Sequence, residues 1–321
     1  VGANGLIGSF LADFMVFLNQ NAYNINLILS SYSAPDKAVR ILHLQDRDDV
    51  RYFSWDCSKP LPQNALEEEI DVTFFCAGYG QPSKFLSNSI KTTLINIVGA
   101  NSVLDKLSRQ EKSTKFTFLS TSEIYGTPSV YPTPEEYPCQ FDLDNNRVSY
   151  VLSKATAENL CVQYNKLRHL ETKIARVALT YGPGTMRNDS RVMQEFIFKA
   201  AKNGNISMLD SGSSIRNYLY LTDSAEILLN VTLRGQSVVY NVGGDSEEIS
   251  IHGLAKHIGD LMGTPVIKGE EKNRNTKSAP LKVGLSMKKY RKEFPKYGNN
   301  IIGLSRGIDR VLKWYRLMEV E

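Results

Sequence analysis

Val1-Gly2-Ala3-Asn4-Gly5-Leu6-Ile7-Gly8 opens the chain, and an apolar run with helical spacing follows it through Leu18. Glycines at this spacing permit a tight turn, a close approach of the backbone to a phosphate, and close packing of the helix that follows. The stretch therefore predicts a dinucleotide-binding turn. Its predicted contacts are Gly2, Gly5, Leu6 and Ile7. A strand should precede such a turn, and we expect it to be absent here because the numbering begins at Val1. Taken alone, the glycine set is weak evidence.

Apolar runs of strand length alternate with helical or turn-rich segments after this turn. The predicted strands are 25–30, 51–55, 72–76, 115–119, 173–180 and 238–242, and the longest predicted helices are 90–107 and 150–167. Such alternation indicates an α/β fold with a Rossmann-like doubly wound parallel sheet. Ligands of these sheets bind where the strands end, so residues that follow a strand are the ones to inspect.

Small and polar residues follow the predicted strands at that edge. In chain order they are Ser31, Asp56, Cys57, Ala77 and Gly78. A small side chain at Ala77 and Gly78 would let a cofactor approach the backbone closely. We therefore predict that these five residues line a cofactor site together with the glycine turn.

The strand 115–119 leads into Ser120-Thr121-Ser122-Glu123-Ile124-Tyr125-Gly126, so it delivers polar side chains to the same edge. Further on, Tyr150 and Lys154 are four residues apart in a predicted helix and therefore share a face. A tyrosine titrates near pH ~10, and an ammonium beside it favours the phenolate, which accepts a proton from an alcohol. This spacing also occurs on exposed helices, so its meaning depends on its surroundings.

Composition excludes several classes of protein. The 321 residues carry a net charge of +4, with no basic run interleaved with aromatics of the kind that binds nucleic acid. The four cysteines lie far apart, which predicts neither a metal site nor a disulfide framework. No apolar run approaches the roughly 20 residues that span a bilayer. We expect a cytoplasmic protein with no membrane or nucleic-acid partner.

Taken together, these motifs resemble the extended short-chain dehydrogenase/reductase family, in its group of nucleotide-sugar epimerases, dehydratases and decarboxylases. The resemblance covers nearly the whole chain and adds Asn96 to the cofactor contacts. It implies an NAD(P)-binding domain at 1–178 and a smaller nucleotide-sugar-binding lobe at 179–321, into which Rossmann elements at about 225–250 are interleaved. It also implies that Tyr150 removes a hydroxyl proton while hydride leaves the sugar carbon, and that helices 90–107 and 150–167 form a homodimer.

The triplet Thr121-Ser122-Glu123 resembles that of UDP-glucuronate decarboxylases and GDP-mannose 4,6-dehydratases, whereas dTDP-glucose dehydratases have Thr-Asp-Glu there. The resemblance implies that Thr121 binds the C4 oxygen and that Glu123 acts as a base once C4 is a ketone. Decarboxylation and dehydration across C5 and C6 both stay open. So do a 4-epimerase in which Glu123 only orients the sugar, and a non-catalytic binding protein on the same fold.

Two arginines in the second half resemble substrate contacts of this family. Arg191 lies in a segment similar to the decarboxylase sequence Gly-Arg-Val-Val, and Arg216 in a segment similar to the one that clamps the diphosphate. The alternative for Arg216 is a solvated surface side chain. Asp223 is expected to cap the helix that runs towards Arg234.

The chain departs from the family pattern at several positions. Leu179 stands where an asparagine is usual, and Gly184 where an arginine is frequent. Residues 30–32 carry no aspartate for the ribose hydroxyls, which leaves NADP possible beside NAD, with Lys37 and Arg40 as remote candidates for its extra phosphate. The region 275–282 offers only lysines where decarboxylases have an arginine. These departures concern the substrate more than the oxidation step.

Overall fold

The computed structural model describes residues 1–168, 170–187, 189–244, 248–269, 280–297 and 301–317. Its helices are α1 (Leu6–Gln20), α2 (Pro82–Ser87), α3 (Ser89–Leu94), α4 (Ala100–Leu107), α5 (Val148–Arg168), α6 (Val192–Asn203), α7 (Leu221–Arg234), α8 (Ile251–Met262), α9 (Lys288–Glu293) and α10 (Leu304–Leu317). Its strands are β1 (Leu27–Ser31), β2 (Val50–Ser54), β3 (Val72–Phe75), β4 (Lys115–Thr121), β5 (Glu171–Val177), β6 (Leu179–Tyr181), β7 (Ile206–Ser207), β8 (Ile215–Arg216), β9 (Tyr218–Tyr220), β10 (Val239–Val242), β11 (Ile249–Ser250) and β12 (Val266–Ile267).

Two groups of parallel strands form the centre of the molecule. One has the order β10-β5-β4-β3, and the other is the pair β1-β2. Val1 lies between the groups: its nitrogen donates to the Phe74 carbonyl at 2.9 Å, and its carbonyl accepts from the Cys76 amide at 2.8 Å. The Gly2 amide donates to the Ser30 carbonyl at 2.7 Å. The glycine turn is therefore fixed to the ends of β1 and β3.

Helices cover both faces of the four-stranded sheet, which is why its strands read as continuous apolar runs. The face towards α4 and α5 buries a core that includes Phe75, Phe116, Phe118, Val103, Leu104 and Ala157. The face towards α1 and α7 buries Leu11, Leu119, Ala175, Leu228 and Val231. Full burial of a phenylalanine contributes about 1.5–3 kcal/mol. This two-faced core holds the C-terminal ends of the strands in place.

A second core lies beyond β5. It packs α6, α8 and α10 around β7 and β9, with Phe196, Ile197, Leu254, Ile258 and Ile308 buried. The chain then returns to the main sheet, because α7 packs on β4 and β5 and β10 pairs with β5 in parallel. Division at residue 178 stays a prediction.

Three sequence-based expectations need correction. The predicted helix 90–107 contains a π-helical turn over Ile95–Gly99, between α3 and α4. The predicted strand 173–180 is two strands, because β5 ends at Val177 and β6 pairs with β9 instead of continuing the main sheet. Asp223 does not cap α7, whose N-cap is Tyr220; its carboxylate instead accepts the Ile302 amide at 2.9 Å and fixes the segment before α10.

Over the described ranges, no helix combines the length and the apolar character that crossing a membrane requires. All four cysteines are free, with Cys57 and Cys161 buried.

Candidate active site

The C-terminal ends of β3, β4 and β5 open into a cleft of about 510 Å³. The predicted catalytic residues that line it are Thr121, Ser122, Glu123, Tyr150 and Lys154. Of the predicted cofactor contacts, Ile7, Ala77 and Gly78 line it too, and both predicted substrate arginines, Arg191 and Arg216, lie on its far wall. One continuous cleft therefore joins the glycine turn to the second core.

The glycine turn has the backbone that its spacing predicts. Gly2 adopts φ +82°, which residues other than glycine rarely adopt. A Cβ at this position would also lie only 2.6 Å from the Ala77 nitrogen. Gly5 is extended and is followed at once by α1, so the amides of Leu6 and Ile7 have no partner within the helix. An anion at this helix start would be stabilised by those amides and by the helix dipole.

A local turn delivers Glu123 to the cleft. The hydroxyl of Thr121 accepts the Glu123 amide at 3.2 Å and so turns the chain at the end of β4. Gly126, at φ +61°, ends this 3-10 turn. A threonine at the end of a strand thus places a carboxylate two residues later at the mouth of the sheet.

Tyr150 and Lys154 both point from α5 towards the end of β4, but they have different partners. The Tyr150 hydroxyl lies near the Thr121 side chain, whereas the Lys154 ammonium donates to the Leu119 carbonyl at 2.7 Å. Burial lowers the pKa of Lys154 to about 8. Burial and the charge of Glu123 raise the pKa of Tyr150 to about 12. The expected lowering of the Tyr150 pKa by Lys154 is therefore not found, because burial dominates and the ammonium is held by a carbonyl.

Asn96 and Ser120 carry buried oxygens that no described residue hydrogen-bonds. Asn96 lies in the π-helical turn, and its amide nitrogen donates to the Ser153 hydroxyl at 2.9 Å. Its free Oδ1 and the Lys154 Nζ each lie 3.6 Å from the point where a Cβ of Gly78 would stand. An unpaired buried acceptor costs about 1–3 kcal/mol, so this oxygen marks a place for a ligand donor. With the glycine turn, it shows that these residues fit a bound dinucleotide.

Hydroxyl groups and an ion pair lie at the end of the site near β1 and β2. The Ser31 hydroxyl hydrogen-bonds to the Tyr52 hydroxyl at 2.7 Å. Asp56 pairs with Lys91 at 3.0 Å and also accepts the Ser58 hydroxyl at 2.7 Å. The predicted contact Cys57 is buried beside Asp56, and burial raises the pKa of its thiol to about 12.

Glu123 is held by an arginine that the sequence analysis does not identify. Arg147 Nε donates to Glu123 Oε2 at 2.9 Å, and Nη2 donates to Oε1 at 2.5 Å. The guanidinium also lies 4.8 Å from the centre of the Phe85 ring, which stacks on Tyr150 at 4.4 Å and 4°. Arg147 lies three residues before Tyr150, a spacing that puts two helical side chains on one face. This spacing could have predicted that Arg147 lies at the site.

The two substrate arginines differ in their surroundings. Arg191 is held by the buried carboxylate of Asp189, with Nη2 to Oδ2 at 2.7 Å, and its Nη1 donates to the Thr180 carbonyl at 3.2 Å. Arg216 Nη1 donates to the carbonyl of the preceding residue, Ile215, at 2.8 Å. Burial lowers the pKa of Arg216. Its position in the cleft wall replaces the alternative of a solvated surface arginine.

The departures from the family pattern also have places in the structure. Leu179 lines the cleft with an apolar side chain. Gly184 has φ +87°, and its carbonyl accepts from Arg40 Nε at 2.7 Å, while Arg40 Nη1 donates to the Asn4 carbonyl at 2.8 Å. Arg40 thus ties the glycine turn to the loop after β6. Residues 275–279, in the lysine-bearing segment, lie outside the described residues.

Residues 1–243 match the NAD dependent epimerase/dehydratase family. The chain belongs to this family. Membership confirms the predicted family and the predicted nicotinamide cofactor, which the family name gives as NAD. The chain is 27% identical to UDP-glucuronic acid decarboxylase 1 of Xenopus tropicalis over 263 residues, which are 82% of this chain and 59% of that protein. The chain thus spans about three fifths of the length of that relative.

Solved structures of the family share the fold. A dTDP-glucose 4,6-dehydratase from Streptomyces venezuelae, solved with NAD and TYD bound, has a TM-score of 0.82 at 18% identity, covering 98% of this chain and 95% of its own. A UDP-glucuronic acid 4-epimerase from Bacillus cereus, in complex with UDP-glucuronic acid and NAD, has a TM-score of 0.79 at 21% identity, covering 98% of each chain. The predicted α/β Rossmann-like fold is confirmed.

Proposed function

We propose that this chain is an NAD-dependent enzyme that oxidises a nucleotide sugar at C4 and then acts at C5 or C6, as a decarboxylase or a 4,6-dehydratase. One observation carries the proposal: Tyr150, Thr121 and Glu123 line one cleft, beside a glycine turn that fits a dinucleotide. The similarity to a UDP-glucuronic acid decarboxylase supports it.

NAD supplies the hydride acceptor for the oxidation at C4. The residues that would hold it are Gly2, Gly5, Leu6, Ile7, Ser31, Asp56, Cys57, Ala77, Gly78, Asn96, Tyr150 and Lys154. The amides at the start of α1 would bind the diphosphate of NAD. The free Oδ1 of Asn96 would accept a hydrogen bond from a donor group elsewhere on NAD. NADP is disfavoured because Arg40, a candidate for its extra phosphate, is already bonded to Gly184 and Asn4.

Tyr150 would accept the proton of the C4 hydroxyl while Thr121 fixes the C4 oxygen. Burial and the charge of Glu123 raise the pKa of Tyr150, whereas the nearby Thr121 hydroxyl and the charge of Arg147 act to lower it and so favour the phenolate. Once C4 is a ketone, Glu123 would remove the C5 proton in a dehydration. In a decarboxylation the C5–C6 bond would break, C6 would leave as carbon dioxide, and Glu123 would return a proton to C5. Arg191 and Arg216 would bind the diphosphate of the substrate.

The ion pair at Glu123 favours a second candidate function, a 4-epimerase. Both oxygens of Glu123 already accept hydrogen bonds from the Arg147 guanidinium, so Glu123 would then orient the sugar without taking a proton. The similarity in fold to a UDP-glucuronic acid 4-epimerase agrees with this alternative. A non-catalytic binding protein is the least favoured reading, because the hydroxyl and amine groups of the site all converge.

Glu123→Gln separates these functions. With a panel of nucleotide sugars and NAD, we expect the wild-type protein to reduce nicotinamide transiently, seen by absorbance, and to release a product of lower mass. The variant keeps the reduction and stops before the loss of mass, because only the later step needs the base. A product of unchanged mass and inverted C4 supports the epimerase, and the absence of any reduction contradicts enzymatic function. Tyr150→Phe is the matched control that removes the first step.

For assembly and location we propose a homodimer in the cytoplasm. Three apolar side chains on α3 and α5 are exposed: Ile90 by 78%, Leu94 by 40% and Leu152 by 37%. An exposed apolar face on two neighbouring helices supports packing against a second copy. The four free cysteines support a reducing compartment.

A further inference from the structure

The pair Glu123 and Arg147 is largely withdrawn from water. The side chain of Arg147 is 12% exposed and that of Glu123 is 24% exposed. Two charge-assisted hydrogen bonds hold them. Such a pair keeps Arg147 charged inside the cleft, where an unpaired cation would be costly.

Only one edge of the Arg147 guanidinium is used by this pair. Nε and Nη2 donate to Glu123, whereas Nη1 has no hydrogen-bond partner anywhere in the described ranges. Packing on Phe85, which stacks on Tyr150, fixes the guanidinium plane relative to the phenol that would meet the sugar. A rigid two-hydrogen donor is therefore left beside the reacting position.

The charges around this position leave a positive surplus. Arg216 is close enough to Glu123 and Arg147 that both affect its pKa, in opposite directions, beyond the dominant effect of burial. Arg191 is balanced by Asp189. Among the groups that act on the charge of Arg216, Glu123 is the carboxylate and Arg147 is the second cation. Arg216 is placed for the diphosphate, so the surplus near Tyr150 favours a further anion on the sugar itself.

We infer that Arg147 is a specificity-determining residue whose free Nη1 edge binds a carboxylate at C6 of the sugar, so that the substrate is a nucleotide uronic acid and not a neutral hexose. The inference rests on the proposed function. A guanidinium bridging two carboxylates places the substrate acid next to Glu123 without direct repulsion. A neutral hydroxymethyl group would leave Nη1 poorly paired. The assignment holds for decarboxylation and 4-epimerisation alike and excludes 4,6-dehydration, whose substrate has a hydroxyl at C6.

The test compares binding of matched sugars by calorimetry, with NADH present so that no sugar is oxidised during the titration. The probes are UDP-glucuronate and UDP-glucose, and GDP-mannuronate and GDP-mannose. We expect the uronate of at least one pair to bind about tenfold or more tightly to the wild-type protein, the usual effect of one charge-assisted hydrogen bond. Arg147→Gln reduces this preference to about twofold or less, mainly by lowering the affinity for the uronate. Arg109→Gln, an exposed arginine on the α4 side, leaves it unchanged.

Arg147→Lys and Glu123→Gln guard against a merely structural role. Lysine keeps the charge but not the fork, so part of the preference survives even if Arg147→Gln folds poorly. Glu123→Gln removes the competing carboxylate, so the preference for uronate stays or grows. Equal binding of uronate and hexose by the wild-type protein overturns this inference alone, as does an Arg147→Gln that weakens both sugars equally. Failure to bind any of the four sugars overturns the proposed function as well.

Discussion

Lys154 is 5% exposed, and its ammonium has one carbonyl partner, Leu119, at 2.7 Å. Tyr150, one helical turn earlier, is 9% exposed and stacks on Phe85. Burial opposes the charged form of each, which moves the pKa of the lysine down to about 8 and that of the tyrosine up to about 12. Burial therefore destabilises the charged forms of both residues, and a bound ligand with complementary polar groups can offset this destabilisation.

Lys154→Met tests this cost through stability. Between pH 8 and 10.5 the folded protein has lost the Lys154 proton while the unfolded chain still holds it, so the free energy of unfolding rises with pH. The contribution is absent below pH 8 and complete above pH 10.5, and it amounts to about 3 kcal/mol. We expect the wild-type protein to gain about 2 kcal/mol of this increment relative to Lys154→Met between pH 8 and pH 10, in urea titrations at pH 8, 9 and 10.

Comparison of the two proteins cancels the buried thiols and phenols, whose raised pKa values lower stability at alkaline pH in both. Lys313→Met is the control, because that side chain is 67% exposed on α10. It should follow the wild-type pH dependence. Parallel curves for wild type and Lys154→Met would show that the ammonium is not destabilised by burial.

A buried ion pair joins the helix that carries Tyr150 to the sheet. Arg176 on β5 donates to Glu158 on α5 at 2.8 Å, and both side chains are less than 10% exposed. The same guanidinium donates to the Tyr125 hydroxyl at 2.9 Å and to the Glu135 carbonyl at 2.9 Å. These bonds fix α5 against the turn that follows β4, so the positions of Tyr150 and Glu123 depend on one network.

Glu158→Ala should destabilise the protein by about 3–5 kcal/mol, because it leaves the Arg176 charge buried without its carboxylate. The double variant Glu158→Leu with Arg176→Met should recover most of this loss, since it removes both charges. Urea unfolding measures both. Asp105→Ala, which breaks the exposed pair with Arg109, should change the free energy by about 1 kcal/mol or less. A Glu158→Ala loss as small as that of Asp105→Ala would contradict the account.

The whole molecule presents an exposed apolar face on α3 and α5, and the proposed homodimer would bury it. Ile90 is 78% exposed in the single chain. Ile90→Asp should convert a dimer to a monomer, because the new carboxylate would lose its water in the interface. Light scattering after size exclusion gives the mass. Ile267→Asp, an exposed residue on β12, is the control and should leave the mass unchanged. A wild-type protein that is monomeric at high concentration rules the dimer out.

Local patterns were enough to predict much of this protein. The glycine turn, the alternation of strands and helices, and the shared face of Tyr150 and Lys154 follow from spacings of a few residues, because backbone geometry repeats over short distances. The places of Ala77 and Gly78 in the cleft follow from the rule that strand ends gather at one edge of a sheet. These features also carried the family resemblance that the comparisons confirm.

Other features depend on groups that only folding brings together. The pairing of Glu123 with Arg147, 24 residues later, turns an expected base into one half of an ion pair. The pKa of Tyr150 is set by burial between Phe85 and the end of β4, and no spacing rule contains a desolvation energy. The free oxygen of Asn96 arises from a π-helical turn inside a helix of ordinary pattern. Sequence therefore determined the fold and which side chains gather at the candidate site, whereas tertiary contacts decided their charges and partners, because burial and pairing depend on groups far apart in the chain.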